Sequence, residues 1–144
     1  MRVVGVDLGE RRIGIAVSDS RGCLASPRTT IVRHGDRAAD RRALVDLVEQ
    51  EQAGHVVVGL PIGLDGHYGP AARSALAEVD VLRPMLEAVG ATVELCDERL
   101  TTVQAHRNLR DAGRSSHQRR RIVDQAAAAV LLQTWLDAGR GNRD

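Results

Sequence analysis

The feature that most constrains this chain is its opening segment, residues 2–9, with the sequence Arg-Val-Val-Gly-Val-Asp-Leu-Gly. Four small or apolar residues in succession, three of them valine, predict a strand that is buried on both faces of a sheet. The strand ends on Asp7, and burying a charge there costs free energy unless a cation meets it. Two interpretations follow. Asp7 caps the turn at Gly9 or pairs with Arg11 or Arg12, or it is a metal ligand at the edge of a buried sheet.

The next segments predict an antiparallel meander. The turn after Asp7 is short, so the strand at 13–18 must return antiparallel and form a hairpin with the first strand. A second turn at 19–22 leads into a third strand from Cys23 to about Ile31. Pro27 indicates that this third strand lies at a sheet edge, because proline cannot donate to a central ladder.

Two amphipathic helices are predicted after the meander. The first spans Asp36–Gln52 and is ended by Gly54. The second begins at Pro70 and keeps an apolar stripe up to Gly90, with a kink or break expected at Pro84. Each helix is long enough to carry the chain from one strand to a parallel neighbour.

Short apolar strands follow these helices at 55–59 and 92–96. Right-handed crossovers place both of them parallel to the first strand. Capping-box patterns that begin at Thr101 and Ser115 then predict a short helix and a long helix ending at about Ala138. The predicted fold class is therefore α/β, with a five-stranded mixed sheet of three antiparallel and two parallel strands flanked by helices.

A chain of 144 residues is the length of one domain with a single core. We expect that domain to cover 1–138, with 139–144 as a flexible C-terminal tail. No apolar run approaches the ~20 residues that span a bilayer, and the N-terminus predicts a strand rather than a secretory leader. We therefore expect a cytoplasmic protein without membrane contact. The cysteines Cys23 and Cys96 are too few for a disulfide framework and are predicted to be apolar fillers.

All 20 basic residues are arginines, and they are unevenly spread although the formal net charge is only +1. Residues 107–121 contain six arginines and a single acid, Asp111. Such a segment is commonly a solvated helix face, but it is equally typical of a phosphate-binding patch, since arginine is a bidentate phosphate donor. Tyr68 and Trp135 are the only aromatic residues. Base stacking on an aromatic platform is therefore excluded as the binding mode.

Acids end two of the predicted parallel strands, at Asp7 and at Asp97-Glu98. The C-terminal ends of parallel strands share one edge of a sheet, and ligand sites of open α/β sheets form at that edge. The glycine-rich loop at 59–69 begins at the same edge. The sequence thus brings carboxylates from two separate strands to one place.

A third acid, Asp124, lies on the apolar face of the last helix. The small residues at 126–129 allow this helix to approach the sheet closely and bring Asp124 to the other acids. The alternative is an Asp124 that pairs with Arg120 or Arg121 at the outer edge of the helix. Carboxylates gathered in one place repel each other, and Mg²⁺ or Mn²⁺ relieves the repulsion. Carboxylates that hold such ions are typical of phosphodiester hydrolysis.

Five motifs are distributed over nearly the whole chain: Val-Asp-Leu-Gly at 6–9 followed by Arg-Ile-Gly at 12–14, Gly-Leu-Pro at 59–61, Asp-Gly at 65–66, Asp-Glu-Arg-Leu-Thr-Thr at 97–102, and Val-Asp-Gln-Ala-Ala at 123–127. Together they resemble the YqgF/RuvX family of ribonuclease H-like proteins, known as pre-16S rRNA nucleases or Holliday junction resolvases. The resemblance implies a ribonuclease H-like fold and places the catalytic and metal-binding acids at Asp7, Glu98 and Asp124. Gly63 departs from the asparagine that this family commonly carries there.

The expected nucleic-acid contacts are the arginines near the acids and the loop at the same edge. They are Arg11, Arg12, Gly63, Asp65, Arg99, Arg107, Arg110, Arg114, Arg119, Arg120 and Arg121. For Arg99 two roles stay open, binding phosphate or neutralising Asp97.

The leading hypothesis is a metal-dependent endonuclease that acts on structured RNA, namely the 5′ end of pre-16S rRNA. The second is a Holliday junction resolvase that cuts branched DNA with the same acids, since both substrates present the same phosphodiester. A noncatalytic RNA-binding module is a third hypothesis, weakened by the acids. An ATPase related to actin or the sugar kinases is excluded, because 144 residues leave no room for its second domain. Both a monomer and a homodimer are compatible with the sequence, and a dimer would favour the junction.

Overall fold

The computed structural model describes the backbone of residues 1–100 and 117–143, and the side chains of residues 1–99 and 124–139. Five strands form one sheet in the order β3-β2-β1-β4-β5. Their bounds are β1 Val3–Leu8, β2 Arg12–Ser18, β3 Ala25–Val32, β4 His55–Leu60 and β5 Thr92–Asp97. The first three strands pair antiparallel, and β4 and β5 are parallel to β1. The predicted mixed sheet is confirmed.

Three helices lie in the described part of the chain: α1 Arg37–Gln50, α2 Pro70–Glu87 and α3 His117–Arg143. A single 3-10 turn follows β5 at Glu98–Leu100. None of the described helices is long and apolar enough to cross a bilayer. The helix α3 extends five residues beyond its predicted end at Ala138, while the flexibility of residues 139–144 stays a prediction. The capping boxes at Thr101 and Ser115 and the short helix between them lie outside the described residues.

The sheet buries apolar side chains on both faces because successive residues of a strand point to opposite sides. One face packs against α1 and α2, and the other packs against α3. The core under α1 and α2 contains Val4, Val6, Val56, Val58, Leu44, Val48, Val79 and Leu82. The core under α3 contains Val3, Ala16, Val57, Ala128, Leu132 and Leu136. The buried opening strand is thus the centre of both cores.

Two helix boundaries differ from the predictions. α2 continues through Pro84 to Glu87, so a break at Pro84 is wrong, while a kink there stays a prediction. α1 ends at Gln50, and the left-handed turn after it is made by Gln52, with φ of 55°, rather than by Gly54. Instead, Gly54 donates its amide to Arg2 beside β1 and is crowded by Met1.

The edge strand β3 starts later than predicted and contains an irregularity. It begins at Ala25 because the carboxylate of Asp19 accepts hydrogen bonds from the amides of Cys23 and Leu24 and holds them in the turn. Further along, the pairing with β2 shifts by one residue, so Arg28 is left opposite no residue as a β-bulge. The edge position indicated by Pro27 is confirmed.

Candidate active site

Asp7 is the middle member of a row of three residues that crosses the sheet near the C-terminal end of β1. In the antiparallel register Asp7 pairs with Gly14 of β2. The parallel register of β1 with β4 reaches Val58, which places Gly59 on the other side of Asp7. The row faces α3, because Gly5, two residues before Asp7, packs against that helix. Asp7 is therefore flanked on both sides by residues without a side chain.

Asp124 of α3 lies directly over Gly14. A Cβ atom built on Gly14 would overlap the main-chain carbonyl oxygen of Asp124 and would lie 2.6 Å from its carbonyl carbon. A Cβ atom on Gly5 would lie 2.8 Å from Cβ of Leu132, further along the sheet-facing side of α3. The two glycines let the helix backbone approach the sheet, as the small residues of α3 also do. This close approach is what carries Asp124 to the row.

Glu98 occupies the matching position over Gly59. A Cβ atom on Gly59 would overlap Oε1 of Glu98 and would lie 3.1 Å from its carboxyl carbon. Each glycine of the row thus leaves the space that one acid fills. Asp7 and Asp124 are 1% exposed and Glu98 is 0% exposed, so all three residues are out of bulk water. The register and the contacts with the two glycines place them on the same face of the sheet.

Arg12 lies with these acids. Its Nε donates to Oδ2 of Asp124 at 2.8 Å, and the Arg12 side chain is 12% exposed. Arg12 is thus a partner of Asp124 that the sequence did not indicate. The pairing of Asp124 with Arg120 or Arg121 considered from the sequence stays a prediction, because the side chains of these two arginines lie outside the described residues. The Arg12 cation offsets part of the charge that three buried carboxylates would otherwise accumulate.

Asp97 precedes Glu98 but points to the other face of the sheet. Its two oxygens accept from Nε and Nη2 of Arg99 at 2.7–3.1 Å, and its Oδ1 also accepts from the Arg99 amide. The side-chain hydrogen bond from Arg99 is the main reason that the pKa of Asp97 is lowered. Of the two roles left open for Arg99, the neutralisation of Asp97 is present in the structure, and phosphate binding by Arg99 stays a prediction.

The loop after β4 is closed by its own polar groups. The amide of Gly63 donates to the carbonyl oxygen of His67, and Oδ1 of Asp65 accepts from the His67 amide, both at 2.9 Å. A Cβ atom on Gly63 would lie 2.9 Å from that same Asp65 oxygen. An asparagine at position 63 would require Asp65 to move, so this loop is adapted to glycine. Asp65 thus stabilises the turn.

The family model described as "RuvX: Holliday junction resolvase" matches residues 1–138. The chain belongs to the RuvX family. A relative from Myxococcus xanthus (strain DK1622), named "Putative pre-16S rRNA nuclease", is 46% identical over 140 residues, which is 97% of this chain and 90% of the relative. A relative of the same name from Anaeromyxobacter dehalogenans (strain 2CP-C) is 46% identical over 138 residues, covering 95% and 97%. The predicted family, a hydrolase family acting on ester bonds, is confirmed.

Solved structures agree on the fold of this RuvX family member. The structure of Thermus thermophilus RuvC superposes with a TM-score of 0.60 and 14% identity, covering 98% of this chain and 97% of the other. The same RuvC in complex with a Holliday junction substrate gives a TM-score of 0.60 at 16% identity, covering 98% and 96%. At this identity the likeness concerns the fold, and it confirms the predicted ribonuclease H-like architecture.

Several predicted contacts of the RuvX family member fall outside the described side chains. Arg107, Arg110 and Arg114 lie outside the described residues. Arg119, Arg120 and Arg121 belong to α3, but their side chains are not among those described. The described residues contain no group of three His, Cys, Asp or Glu side chains already arranged around a metal position. The metal ligands therefore stay a prediction.

Cys96 lies on β5 next to the acids. Burial is the main cause that raises the pKa of its thiol to about 11, and the negative charges of Asp97, Glu94 and Glu98 add to the shift. The thiol is therefore neutral at physiological pH and is a poor nucleophile. This agrees with the apolar role predicted for it.

Sequence reasoning missed two groups of residues in this RuvX family member. Gly14 and Gly59 make room for the acids, and a glycine inside a strand pattern is a known signal of close approach. Arg33 and Arg37 line a groove of about 1080 Å³ that also borders on Arg11, Arg12 and Asp124. No spacing rule would have found these two arginines, because they converge only through tertiary structure.

Proposed function

We propose that this chain is a metal-dependent endonuclease that hydrolyses phosphodiesters in structured nucleic acid, with the 5′ end of pre-16S rRNA as its principal substrate. The observation that carries the proposal is the convergence of Asp7, Glu98 and Asp124, three buried carboxyl groups on one face of the sheet. The names of relatives at 46% identity support the choice of RNA. We place the protein in the cytoplasm, where such RNA is processed. It would act there as a monomer or a homodimer.

The three carboxylates suit Mg²⁺ or Mn²⁺, because both ions prefer carboxylate oxygen as a ligand. Asp7, Glu98 and Asp124 would be the ligands. When bound, such an ion activates water and stabilises charge on the phosphate. The glycines beside Asp7 leave space for Glu98 and Asp124 to turn toward it, since no side chain stands between them.

The protein groups around the row have distinct tasks. Arg12 orients Asp124 through their 2.8 Å hydrogen bond and offsets part of its charge. The close packing of α3 on Gly5 and Gly14 excludes bulk water, which strengthens each electrostatic interaction inside. Bound phosphate would enter next to these acids with its charge opposed by arginine.

A Holliday junction resolvase is the second candidate, favoured by the description of the matching family model. It would use the same acids on branched DNA, so the active site does not separate the two substrates. A noncatalytic RNA-binding module is less favoured, because buried carboxyl groups repel a polyanion and would be costly in a surface that only binds phosphate.

The deciding experiment compares two substrates under one set of conditions. Purified protein is incubated with a pre-16S rRNA fragment that carries its 5′ extension, and with a four-way DNA junction, in Mg²⁺, Mn²⁺ or EDTA. We expect metal-dependent cleavage of the RNA that exceeds cleavage of the junction. Preferential junction cleavage would select the second candidate. Absence of metal-dependent cleavage of both would contradict the nuclease proposal.

A further inference from the structure

The groove beside the acids lies on the opposite face of the sheet, under α1 and α2. Arg12 faces α3 with Asp124, whereas Arg11, one residue earlier, faces α1 and α2. The groove passes over the end of β1 and β2, so it adjoins both Asp124 and the arginines Arg11, Arg33 and Arg37. A smaller cavity of about 220 Å³ is lined by the same three arginines and extends toward α1.

Arg11 and Arg33 oppose each other across β2 and β3. The register pairs Arg12 with Val32, and the amide of Arg33 donates to the carbonyl oxygen of Arg11 at 2.8 Å, so their side chains share a face. Like charges directly opposite on neighbouring strands destabilise a sheet. The chain nevertheless places two guanidinium groups there, at the wall of a groove.

Arg37 and α2 add more positive charge to the same groove. Arg37 is the first residue of α1, where the positive end of the helix dipole disfavours a cation. Pro70, Ala71 and Ser74 of the first turn of α2 also line the groove, and Gly69 provides no side-chain cap for that turn. The amides of Ala71 and Ala72 therefore carry partial positive charge that no capping side chain of Gly69 offsets.

Besides Asp124, three acids line the two cavities, and among the described residues none of the three forms an ion pair with Arg11, Arg33 or Arg37: they are Glu10, Asp40 and Glu78. Glu78 is held by Arg41, whose Nε donates to both carboxylate oxygens at 2.9 and 3.0 Å. Among the described residues, Arg33 has no carboxylate within ion-pair distance, and its buried Nε has no hydrogen-bond partner. Burial is the main cause that lowers the pKa of Arg33, against the opposing pull of Glu78 and Asp40. A buried donor without an acceptor is costly unless a ligand supplies one.

Resting on the proposed function, we propose that Arg11, Arg33 and Arg37 bind the phosphodiester backbone of the nucleic-acid strand on one side of the scissile bond. Three placements that are each unfavourable in the free protein converge on one groove, and an anion would relieve all three. The volume of about 1080 Å³ exceeds the ~300–1,000 Å³ typical of small-molecule pockets, which favours a polymer segment. The strand would run from the acids over the turn at Gly9 into this groove.

The test measures how binding depends on salt. The Arg33→Gln/Arg37→Gln double variant is compared with Arg42→Gln, which removes an exposed arginine of the same helix that does not line the groove. All are made in the Asp7→Asn background, so that no cleavage intervenes. The probe is a fluorescent RNA stem-loop with a single-stranded 5′ extension. Each phosphate that the protein no longer neutralises should lower the slope of log affinity against log salt by about 0.7–0.9.

We expect the slope of the double variant to fall by about 1.4–1.8, twice the value for one phosphate, while Arg42→Gln keeps the slope of its parent. The melting temperature of the free double variant should equal or exceed that of the parent, because repulsion is removed. If the double variant fails to fold, Arg37→Gln alone, at an exposed position, gives the same test with half the change.

An unchanged slope in a folded variant would overturn the proposal. Binding of small anions alone would also overturn it, and inorganic phosphate is the probe for this case. If phosphate raises the melting temperature of the parent but not of the double variant, and the two proteins have equal salt slopes for RNA binding, the groove binds free phosphate instead of RNA. Failure of the groove proposal can be distinguished from failure of the proposed function. Cleavage with an unchanged slope rejects the groove alone, and a changed slope without cleavage by the wild-type chain rejects the nuclease alone.

Discussion

At one edge of the sheet one face gathers buried carboxylates and the other gathers arginines. The face under α3 holds Asp7, Glu98 and Asp124, all buried, and the face under α1 and α2 holds the groove arginines. Because side chains alternate along a strand, residues adjacent in sequence are assigned to different faces. Arg11 and Arg12 separate at the start of β2, and Asp97 and Glu98 separate where β5 passes into the 3-10 turn, with Glu98 over Gly59. Under the proposed function, the comparison teaches that catalysis and substrate binding would be arranged on two sides of the same strand ends.

Each face also contains a group of the other sign, and in both cases it is held in an ion pair. Arg12 on the acidic face donates to Asp124, and Asp97 on the basic face accepts from Arg99. These pairs keep each face electrostatically distinct, since the counter-charge is used locally. The following predictions test whether the division into two faces holds.

The largest effect is expected for the acidic face. Asp7→Asn and Glu98→Gln should each lower the cleavage rate at least about a hundredfold, in the range of deleted catalytic groups, while nucleic-acid binding is largely kept. Asp97 is one residue from Glu98 but on the other face, and Arg99 neutralises its charge. The cleavage rate of Asp97→Asn should therefore stay within about threefold of the wild-type rate. Cleavage rates and filter-binding affinities on the same substrate measure this.

Asp46→Asn, on the exposed side of α1, is the matched control for removal of one carboxylate. Relief of repulsion should also raise the melting temperature of metal-free Asp7→Asn. Wild-type cleavage by Asp7→Asn, or equal reductions for Asp97→Asn and Glu98→Gln, would remove the distinction between the faces.

The glycines that flank Asp7 should differ in what they support. Gly14→Ala collides with the main chain of α3 and should lower the free energy of unfolding by about 1–3 kcal/mol, the usual cost of overpacking. Gly59→Ala meets only the end of the Glu98 side chain, so it should lower cleavage with little effect on stability. Denaturant unfolding and cleavage assays separate the two.

Gly69→Ala is the control for these substitutions, because a Cβ atom there meets nothing within 4 Å and the backbone φ is −77°. Equal stability of Gly14→Ala and Gly69→Ala would show that α3 is not held against the row.

The arginine-rich segment at 107–121 is predicted from the sequence to bind phosphate at the sheet edge that carries the acids. If it does, changing Arg107, Arg110 and Arg114 to alanine should weaken RNA and DNA binding about equally. It should also reduce the salt slope by about 0.7–0.9 for each phosphate that these arginines neutralise. Affinity measured across a salt series checks this. An unchanged slope would make the segment a solvated face and leave binding to the groove on the other side of the sheet.

The smallest effect is expected for the Asp97–Arg99 pair. The pKa of Asp97 is lowered by Arg99, so the pair stabilises the folded state above the ordinary aspartate pKa of 3.8, and this contribution disappears as the pH falls through the lower folded-state value. Asp97→Asn should therefore lower the melting temperature at pH 7 by about 2 °C. The difference from wild type should shrink at pH 3. A difference that grows in acid would contradict the pairing.

The element order was predictable because apolar periodicity and turn residues agree along most of the chain. The meeting of Asp7 with Asp97-Glu98 followed from parallel strands that share an edge. Periodicity could not choose between Asp97 and Glu98, since that choice depends on which face each residue takes; only the family resemblance selected Glu98. Pro84 misled because tertiary packing of α2 outweighs the absence of one helical hydrogen bond.

The groove escaped sequence reasoning for a different reason. Arg33 and Arg37 are far from residues 107–121, and nothing in their spacing distinguishes them from solvated arginines. Arg33 lies opposite Arg11, and Arg37 lies at the start of α1. Each placement is unfavourable in isolation, and this is what gives the two arginines their significance. Such conflicts between local rules and tertiary structure are expected at functional positions, but they become visible only once the pairing is known.

The bulge in β3 adds one residue to the strand, so odd-numbered side chains face one side of the sheet before the bulge and the other side after it. Ala25 packs under α3 and Ile31 packs under α1 and α2, although both are odd-numbered residues of one strand. Removing Arg28 would shorten the strand and still leave Arg33 opposite Arg11, because the register after the bulge already omits that residue. Removing Thr30 would also absorb the bulge and leave Ile31 opposite Ile13. It would, however, move Thr29 from its place opposite Ile15 to a place opposite Gly14 and so turn its side chain to the other face. Tolerance of deletions in this hairpin should thus change within two residues.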